Sequence, residues 1–464
     1  MNLVKFEKWN AIVASLAFLI ALVTYSLTVE PTASYWDCAE YISTSAKLQI
    51  GHPPGAPLFQ MLGAFFSSFA LENEKIALMV NMMSVFASAF TILFLFLTTT
   101  IIGKKIVLKN NSISNSNAIT ILGSSLIGSL CFTFSDSFWF NAVEAEVYAM
   151  ATMIMALLFW LGFKWEENID KKGGDRWLIL ISFVVGLSFG VHFMGLLVIP
   201  AIGMIYFFKK NPSPTFKGFV LANILSVTIL LFIFKLLLPS SLGLFGYLEV
   251  FFVNNLGLPF NSGTIFSALL IIAFFYFGIK KTREKKWIKI NTFLLCVMFV
   301  FIGFSSWLMI PIRSNANTVI NENAPSDARA LLAYYNLEQY PDTHLFYGPM
   351  FSDAYAGQDP NNPYKDDKPK YEKDLLKNKY IIVNDWESGK INSNNEHVGF
   401  LPRMWSADKA SNYMNYFGYL DFEIKNEYKS EDKLKEIVNQ FKADFNEGDI
   451  DSNGYHEFLT QYGL

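Results

Sequence analysis

Between Ala11 and Val29 the chain reads AIVASLAFLIALVTYSLTV, an apolar run long enough to cross a bilayer as one helix. A few residues later comes Tyr35-Trp36-Asp37-Cys38-Ala39-Glu40-Tyr41, followed shortly by His52-Pro53-Pro54-Gly55. Asp37 and Glu40 are three residues apart and would share one face of a helix. Acids set side by side at a membrane surface repel each other and lose hydration, so their presence asks for a functional reason.

Working outward, the composition agrees with a membrane chain. Of 464 residues, 52% are hydrophobic and 16% aromatic, which excludes a disordered or wholly soluble protein. A net charge of −3 gives no electrostatic case for nucleic acid as a partner. Cys131 and Cys296 fall inside apolar runs and Cys38 beside the acids, so neither a disulfide framework nor a metal-ligand spacing is present. Lys5 and Lys8 before the first apolar run resemble a signal peptide, but Thr28-Val29-Glu30-Pro31 offers no small-residue cleavage site. An uncleaved signal anchor is the better reading.

Runs of the required length predict crossings at 10–29, 76–102, 119–135, 147–163, 177–191, 193–208, 218–239, 263–280 and 290–312. Basic residues fall in alternate connections: Lys5 and Lys8, then Lys104 and Lys105, Lys164 to Arg176, Lys209 to Lys217, and Lys280 to Lys289. The positive-inside rule therefore places the N-terminus in the cytoplasm and the acids outside. The apolar stretch Ala56–Leu71 would break this alternation as a crossing, so it is expected to lie along the outer interface or to re-enter. The fifth and sixth crossings read as a tight hairpin with His192 at its tip.

The fold class expected is thus an all-α polytopic membrane protein of about nine helices. Residues 1–314 form the membrane domain and 315–464 a mainly helical extracytoplasmic segment. In that segment Ala328–Tyr335 and Lys433–Phe445 read as helices and Tyr380–Asn384 as a short strand. Asp449-Ile-Asp451-Ser-Asn453-Gly454 imitates the start of a calcium loop, but Thr460 stands where its bidentate acid belongs, so a turn is expected instead. His344, His397 and His456 show no ligand spacing. The end at Tyr462-Gly463-Leu464 has no tail-like composition and reads as that of a fragment of a longer protein.

Polar groups recur in every outer connection: Asp37, Glu40 and His52; then Asp136, Trp139, Asn141, Glu144, Glu146 and Tyr148; then His192; then Arg313. They are expected to converge on one outer cavity, where partial burial would raise a carboxylate toward the range of a proton acceptor. Each also has a bland reading. The acid pair could be a solvated helix face, Trp36 and Tyr41 an interfacial aromatic belt, and His52 or His192 a structural histidine bonding backbone. Glu144 and Glu146, two apart, would point different ways, and Arg313 could bridge to a carboxylate or a lipid phosphate.

With Asp37-x-x-Glu40 and His52-Pro53-Pro54-Gly55, the chain resembles the polytopic glycosyltransferases of the GT-C fold. Protein O-mannosyltransferases of that fold carry a similar His-Pro-Pro after the catalytic acid. It looks closest to a large bacterial membrane family, long listed as a domain of unknown function, whose animal relative is a protein O-mannosyltransferase. Trp36–Tyr41, Gly51–Phe59, Asn141–Tyr148, Arg313–Asp327, Tyr334–Gly348 and Phe400–Met404 carry this likeness. Cys38 and Ala39 replace the Ser-Gly pair expected between the acids.

The resemblance implies a bacterial inner-membrane enzyme with Asp37 as catalytic acid residue, Glu40 its neighbour and His52 the His-Pro-Pro histidine. The expected reaction moves a sugar, with mannose first in line, from a polyprenyl-phosphate donor to Ser or Thr hydroxyls of exported proteins. Asp37 would act as general base and the anomeric centre would invert. Arg313, His52 and His192 are expected at the donor phosphate, with Trp36, Tyr41, Trp139 and Glu146 around the sugar. No cofactor is required beyond the lipid-linked donor, no metal ligand is assigned, and divalent-metal dependence stays open. Alternatives are a glycolipid, lipid A or polysaccharide acceptor, or a transporter or scaffold without chemistry. A transporter would place Asp37 at mid-bilayer.

Overall fold

In the computed structural model, residues 3–107, 113–340, 344–350, 359, 361–395 and 398–406 are described, with scattered positions from 409 to 449. The chain divides into two compact units, Met1–Leu337 and Glu338–Leu464. The first unit therefore includes residues 315–337, which the composition shift assigns to the second part.

Fifteen helices are described: α1 (Leu3–Leu27), α2 (Cys38–Lys47), α3 (Pro57–Ser67), α4 (Ile76–Val107), α5 (Asn115–Thr133), α6 (Asp136–Ala142), α7 (Val147–Asn168), α8 (Asp175–Ser188), α9 (Val198–Lys210), α10 (Phe216–Leu231), α11 (Leu238–Asn254), α12 (Ser262–Glu284), α13 (Ile288–Phe304), α14 (Met309–Ser314) and α15 (Ala328–Tyr335). Among the described residues, 8 helical stretches are long and apolar enough to cross a membrane. With so few strands, this is a polytopic all-α membrane protein. The crossing expected at 177–191 is the exception. It is helical only over the 14 residues of α8, about 21 Å of rise against ~30 Å of hydrocarbon. Phe189–Val191, apolar enough to pass for more helix, instead belong to the turn toward His192. The run expected at 218–239 is part of a continuous stretch, Phe216–Asn254. A π-helical turn, Phe232–Leu237, joins α10 to α11 just before Pro239, whose missing N–H would leave an ordinary helical bond unmade.

Helix ends sort into two sets. At one, Lys104 of α4 pairs with Glu7 of α1 at 2.9 Å and with Glu167 of α7 at 3.6 Å. Lys105 pairs with Glu166, Lys209 of α9 reaches Glu166 at 3.2 Å, and Lys210 pairs with Asp170. Thr292 of α13 donates to Asp175 at the start of α8. These contacts collect the start of α1, α8 and α13 with the ends of α4, α7 and α9. The path therefore alternates as the distribution of lysines predicts, with α8 as a rising leg despite its length. At the other end Gly190, in the tip of the α8–α9 hairpin, offers its carbonyl to the N–H groups of Leu58 and Phe59 at the start of α3.

Small residues let these helices approach, as they do where lipid supplies no hydrophobic drive. Ala14, Ala17, Ala21 and Tyr25 of α1 lie against Val85, Ala89, Ile92 and Phe96 of α4. A Cβ on Gly186 of α8 would stand 2.2 Å from the Val300 carbonyl oxygen of α13, and one on Gly303 would stand 2.3 Å from that of Phe183. The larger core cluster runs along α7 through Met150, Ile154, Leu158 and Leu161.

In the second unit the described residues form three antiparallel strand pairs rather than the helices expected. β1 (Tyr347–Pro349) pairs with β6 (Val398–Phe400), β2 (Tyr364–Lys365) with β5 (Lys390–Ile391), and β3 (Tyr371–Asp374) with β4 (Lys379–Ile382). β3 and β4 form a hairpin, turned where Asp374 accepts the N–H groups of Leu376 and Lys377 and Asn378 is in the left-handed region. The strand expected at Tyr380–Asn384 is β4, which starts one residue earlier and ends two residues earlier. Described positions between Glu436 and Glu447 are helical, in line with the predicted Lys433–Phe445 helix, several of whose residues lie outside the described set. Past Asp449 the calcium-like loop also lies outside it, as do His397 and His456.

Candidate active site

Asp37 is the N-cap residue of α2 and Glu40 lies in its first turn, where acids complement the positive end of the helix. The segment Leu48–Gly55 then doubles back along α2 and lays His52 over both acids. His52 Nδ1 is 2.9 Å from Glu40 Oε2, and its backbone N–H donates to Glu40 Oε1 at 2.6 Å. His52 Nε2 faces Asp37 Oδ2 at 3.8 Å. A Cβ at Gly51 would fall 2.5 Å from Glu40 Oε1, so any larger residue there would displace that carboxylate. Of the three side chains Asp37 is the most open, 55% exposed against 30% for His52 and 28% for Glu40.

Glu146, at the start of α7, closes the site from below. Its side chain is buried, and Oε1 accepts the backbone N–H of Asp37 at 3.2 Å. Burial, and then the charge of Asp37, push its carboxyl up to about 7. The neighbouring Glu144 accepts the Ser34 hydroxyl and is equally buried. Burial pushes the Cys38 thiol up to about 12, so it stays protonated. Burial works against Glu40 as well, yet the His52 hydrogen bonds and charge outweigh it and hold Glu40 below the ordinary carboxylate value. The same hydrogen bond raises His52, against its own burial and helped by the charges of Glu40, Asp37 and Glu146. The result is a line of paired charge, Glu40–His52–Asp37, with its open end at Asp37.

The loop is clamped by residues far along the chain. Tyr334 of α15 donates to the carbonyls of Gly51 at 2.6 Å and His52 at 3.2 Å. Gly55 is in the left-handed region at φ 73° and packs against that phenol, where a Cβ would lie 2.6 Å from the hydroxyl. Ile50 exchanges backbone hydrogen bonds with Ile320 and Glu322. Neither Tyr334 nor this bridge was singled out as a site feature in the sequence. Both fall within segments that carry the family likeness, Arg313–Asp327 and Tyr334–Gly348, and that was the sign the sequence offered.

Of the residues expected here, the structure brings together Asp37, Glu40, His52, Tyr41 and Glu146. Tyr41 is buried, with its ring 5.8 Å from His52 and 5.2 Å from Phe59. Trp36 projects beside Asp37, 87% exposed. His192 caps the 3₁₀ turn Phe193–Leu197 through Nδ1 and lies 5.4 Å from the Tyr148 ring; burial lowers its pKa, favouring the neutral ring. Two expectations part from the geometry. Arg313 donates to the carbonyls of Leu48 at 2.6 Å and Lys47 at 3.0 Å, so it fastens the far end of α2 rather than facing the acids. Trp139 donates to Thr28 and packs near Tyr25 and Phe134, bracing α6 against α1. Asp37 sits past the end of α1, not at the middle of a crossing.

Asp37, Glu40 and His52 offer ligand atoms within 4.8 Å of one another, a spacing that three ligands of one cation can adopt. Both Glu40 oxygens already accept from His52, so an ion would displace those bonds.

Helices and site together define a polytopic membrane protein with its interacting acids and histidine gathered at one end of the bundle. Residues 37–215 match the family model described as the protein O-mannosyl-transferase TMEM260 N-terminal domain, and 341–445 match a family of unknown function, DUF8416. The chain is similar to "Protein O-mannosyl-transferase tmem260" of Dictyostelium discoideum, 29% identical over 202 residues, 40% of this chain and 22% of the relative. It is also similar to "Protein O-mannosyl-transferase TMEM260" of Mus musculus, 26% identical over 171 residues, 37% of this chain and 22% of that protein. The chain is thus related to an animal protein O-mannosyltransferase, and it spans 22% of the length of each relative. No solved structure matches it. The first matched segment starts at Asp37 and takes in Glu40, His52, Glu146 and His192; Arg313 and Tyr334 fall outside both segments.

Proposed function

We propose that this chain carries the reacting end of a GT-C-type membrane glycosyltransferase. It moves a sugar, mannose by the names of its relatives, from a polyprenyl-phosphate donor to a Ser or Thr hydroxyl of an exported protein. The observation that carries the reading is the Glu40–His52–Asp37 line at the start of the segment similar to protein O-mannosyltransferases. Alternation of the lysines would put this end on the extracytoplasmic side of a bacterial inner membrane.

In this reading the acceptor oxygen forms a bond to the anomeric carbon while its proton passes to Asp37, the carboxylate open to solvent. The bond from carbon to the donor phosphate oxygen breaks, its electron pair leaving on the phosphate. Attack from the opposite face inverts the centre. The His52 imidazolium, held by Glu40, offsets charge near the leaving phosphate. No step is assigned to Arg313, which donates through Nε and Nη2 to backbone carbonyls at the end of α2.

The test is Asp37→Asn in the purified chain, assayed with mannosyl polyprenyl phosphate and a Ser/Thr peptide. Turnover is expected to fall by roughly 10²–10⁴-fold with membrane insertion unchanged. Unaltered turnover would remove Asp37 from the mechanism. Transfer to a glycolipid or polysaccharide in place of the peptide would keep the chemistry and change the acceptor.

A further inference from the structure

A cavity of about 1300 Å³ lies between α11, α12, α13 and the start of α15, and none of Asp37, Glu40, His52 or Glu146 lines it. It exceeds the ~300–1,000 Å³ of ordinary small-molecule sites. Its α12 wall is a stripe at helical spacing, Thr264, Ala268, Ile272, Phe275 and Ile279, continued by Arg283. From Thr264 to Arg283 that stripe rises about 29 Å, close to the thickness of a hydrocarbon core. Apart from a few hydroxyls and amides, the groove is polar only at its two mouths.

The mouths differ in charge. Lys280 and Arg283 line one, with Glu284 as the single acid beside them, and Lys281, Lys285, Lys286 and Lys289 follow on the same turn. This is the end opposite the acid site. Asn291 of α13 donates to Thr282 at 2.9 Å, and Thr292 donates to Asp175 at the start of α8. Ser326 and Asp327 line the other mouth, with no lysine or arginine among the lining residues there. Asp327 is engaged in capping α15, accepting from the N–H groups of Arg329 and Ala330. Among the lining residues, cations for a lipid phosphate lie only at the Lys280–Arg283 mouth.

We propose that the groove seats a membrane phospholipid with an anionic head group, its phosphate at Lys280 and Arg283 and its chains running up α12 past Tyr276 and Ile272. Basic pockets between membrane helices recognise such head groups. This orientation sets the site apart from the sugar donor, whose phosphate must reach the opposite end at Asp37. The proposal does not depend on the glycosyl-transfer reading.

The full chain, stripped of lipid in mild detergent, would be titrated with dioleoyl phosphatidylglycerol, dioleoyl phosphatidylcholine and undecaprenyl phosphate, with bound lipid counted by native mass spectrometry. Phosphatidylglycerol should bind at least about tenfold tighter than phosphatidylcholine, and Lys280→Gln with Arg283→Gln should weaken it about thirtyfold. Lys285→Gln with Lys289→Gln, on the same turn but off the groove, should leave it within about threefold. Ala268→Phe narrows the groove without changing charge and should also weaken binding; it decides the matter if the double variant fails to fold. Equal binding of the two phospholipids, indifference to both groove variants, or groove variants that weaken undecaprenyl phosphate more than phosphatidylglycerol would each overturn the assignment.

Discussion

Replacing Glu146 by Gln removes a charge from beneath the site while keeping its shape and the oxygen that accepts the Asp37 N–H at 3.2 Å. Burial and the Asp37 charge raise the carboxyl from 4.5 to about 7 in the folded chain. For an acid raised on folding, the folded state holds a proton that the unfolded state has released between those two values. Stability therefore falls as pH rises from 4.5 to 7 and levels off above. At 1.36 kcal/mol per unit the full effect is about 3 kcal/mol. The Gln variant carries no such proton, so it should match the parent below about pH 4.5, draw ahead as pH rises and exceed it by about 3 kcal/mol at pH 8. With the usual unfolding entropy per residue, that is about 3 °C for a chain of this size. Thermal unfolding in one detergent from pH 5 to pH 8.5 measures it. His52 and Glu40 titrate in both proteins and largely cancel in the difference. Parallel curves across the range would show that Glu146 is not a buried, strained carboxyl.

Three other changes probe the frame of the site. Tyr334→Phe loses the hydroxyl that donates to the Gly51 and His52 carbonyls, at a cost of about 1–3 kcal/mol for buried acceptors left unpaired. It should also speed diethylpyrocarbonate labelling of His52, read by peptide mass mapping; an unchanged rate would deny the clamp. Gly51→Ala places a Cβ 2.5 Å from Glu40 Oε1. That must part Glu40 from His52, so the histidine, no longer raised by its partner, should lose its proton at lower pH in a labelling titration. Gly186→Val drives side-chain atoms into the Val300 carbonyl of α13. A loss of roughly 1–3 kcal/mol or more is expected, measured as a lower unfolding midpoint; a tolerant variant would mean that α8 and α13 can separate at no cost.

The helices were legible because each crossing repeats one simple signal, an apolar run of sufficient length. That signal misjudged α8, whose apolar run continues into a turn made by Phe189, Gly190 and Val191. Asp37 and Glu40 were visible because their relation is local to one helix start, and His52 lies only 12 positions from Glu40. Glu146 was visible as an acid beside an apolar run, but not its bond to Asp37 across 109 positions. Arg313 looked like a ligand group because a lone arginine outside draws attention; nothing local reveals that its Nε and Nη2 bond the carbonyls of Leu48 and Lys47. Trp139 misled in the same way, since an interfacial tryptophan and a sugar-stacking one have the same sequence context.

The Tyr334 clasp also sets an order of assembly during synthesis. Its hydroxyl meets the His52 carbonyl across 282 positions. At ~5–20 residues per second a ribosome spends about 14–56 s between adding the one and the other. Throughout that interval the emerging chain already holds both acids and the histidine, but not the phenol that completes the clamp. A nascent polypeptide halted before α15 would thus present every ionisable group of the cluster, with Arg313, Ile320 and Glu322 already synthesised but without the phenol that bonds the Gly51 and His52 carbonyls.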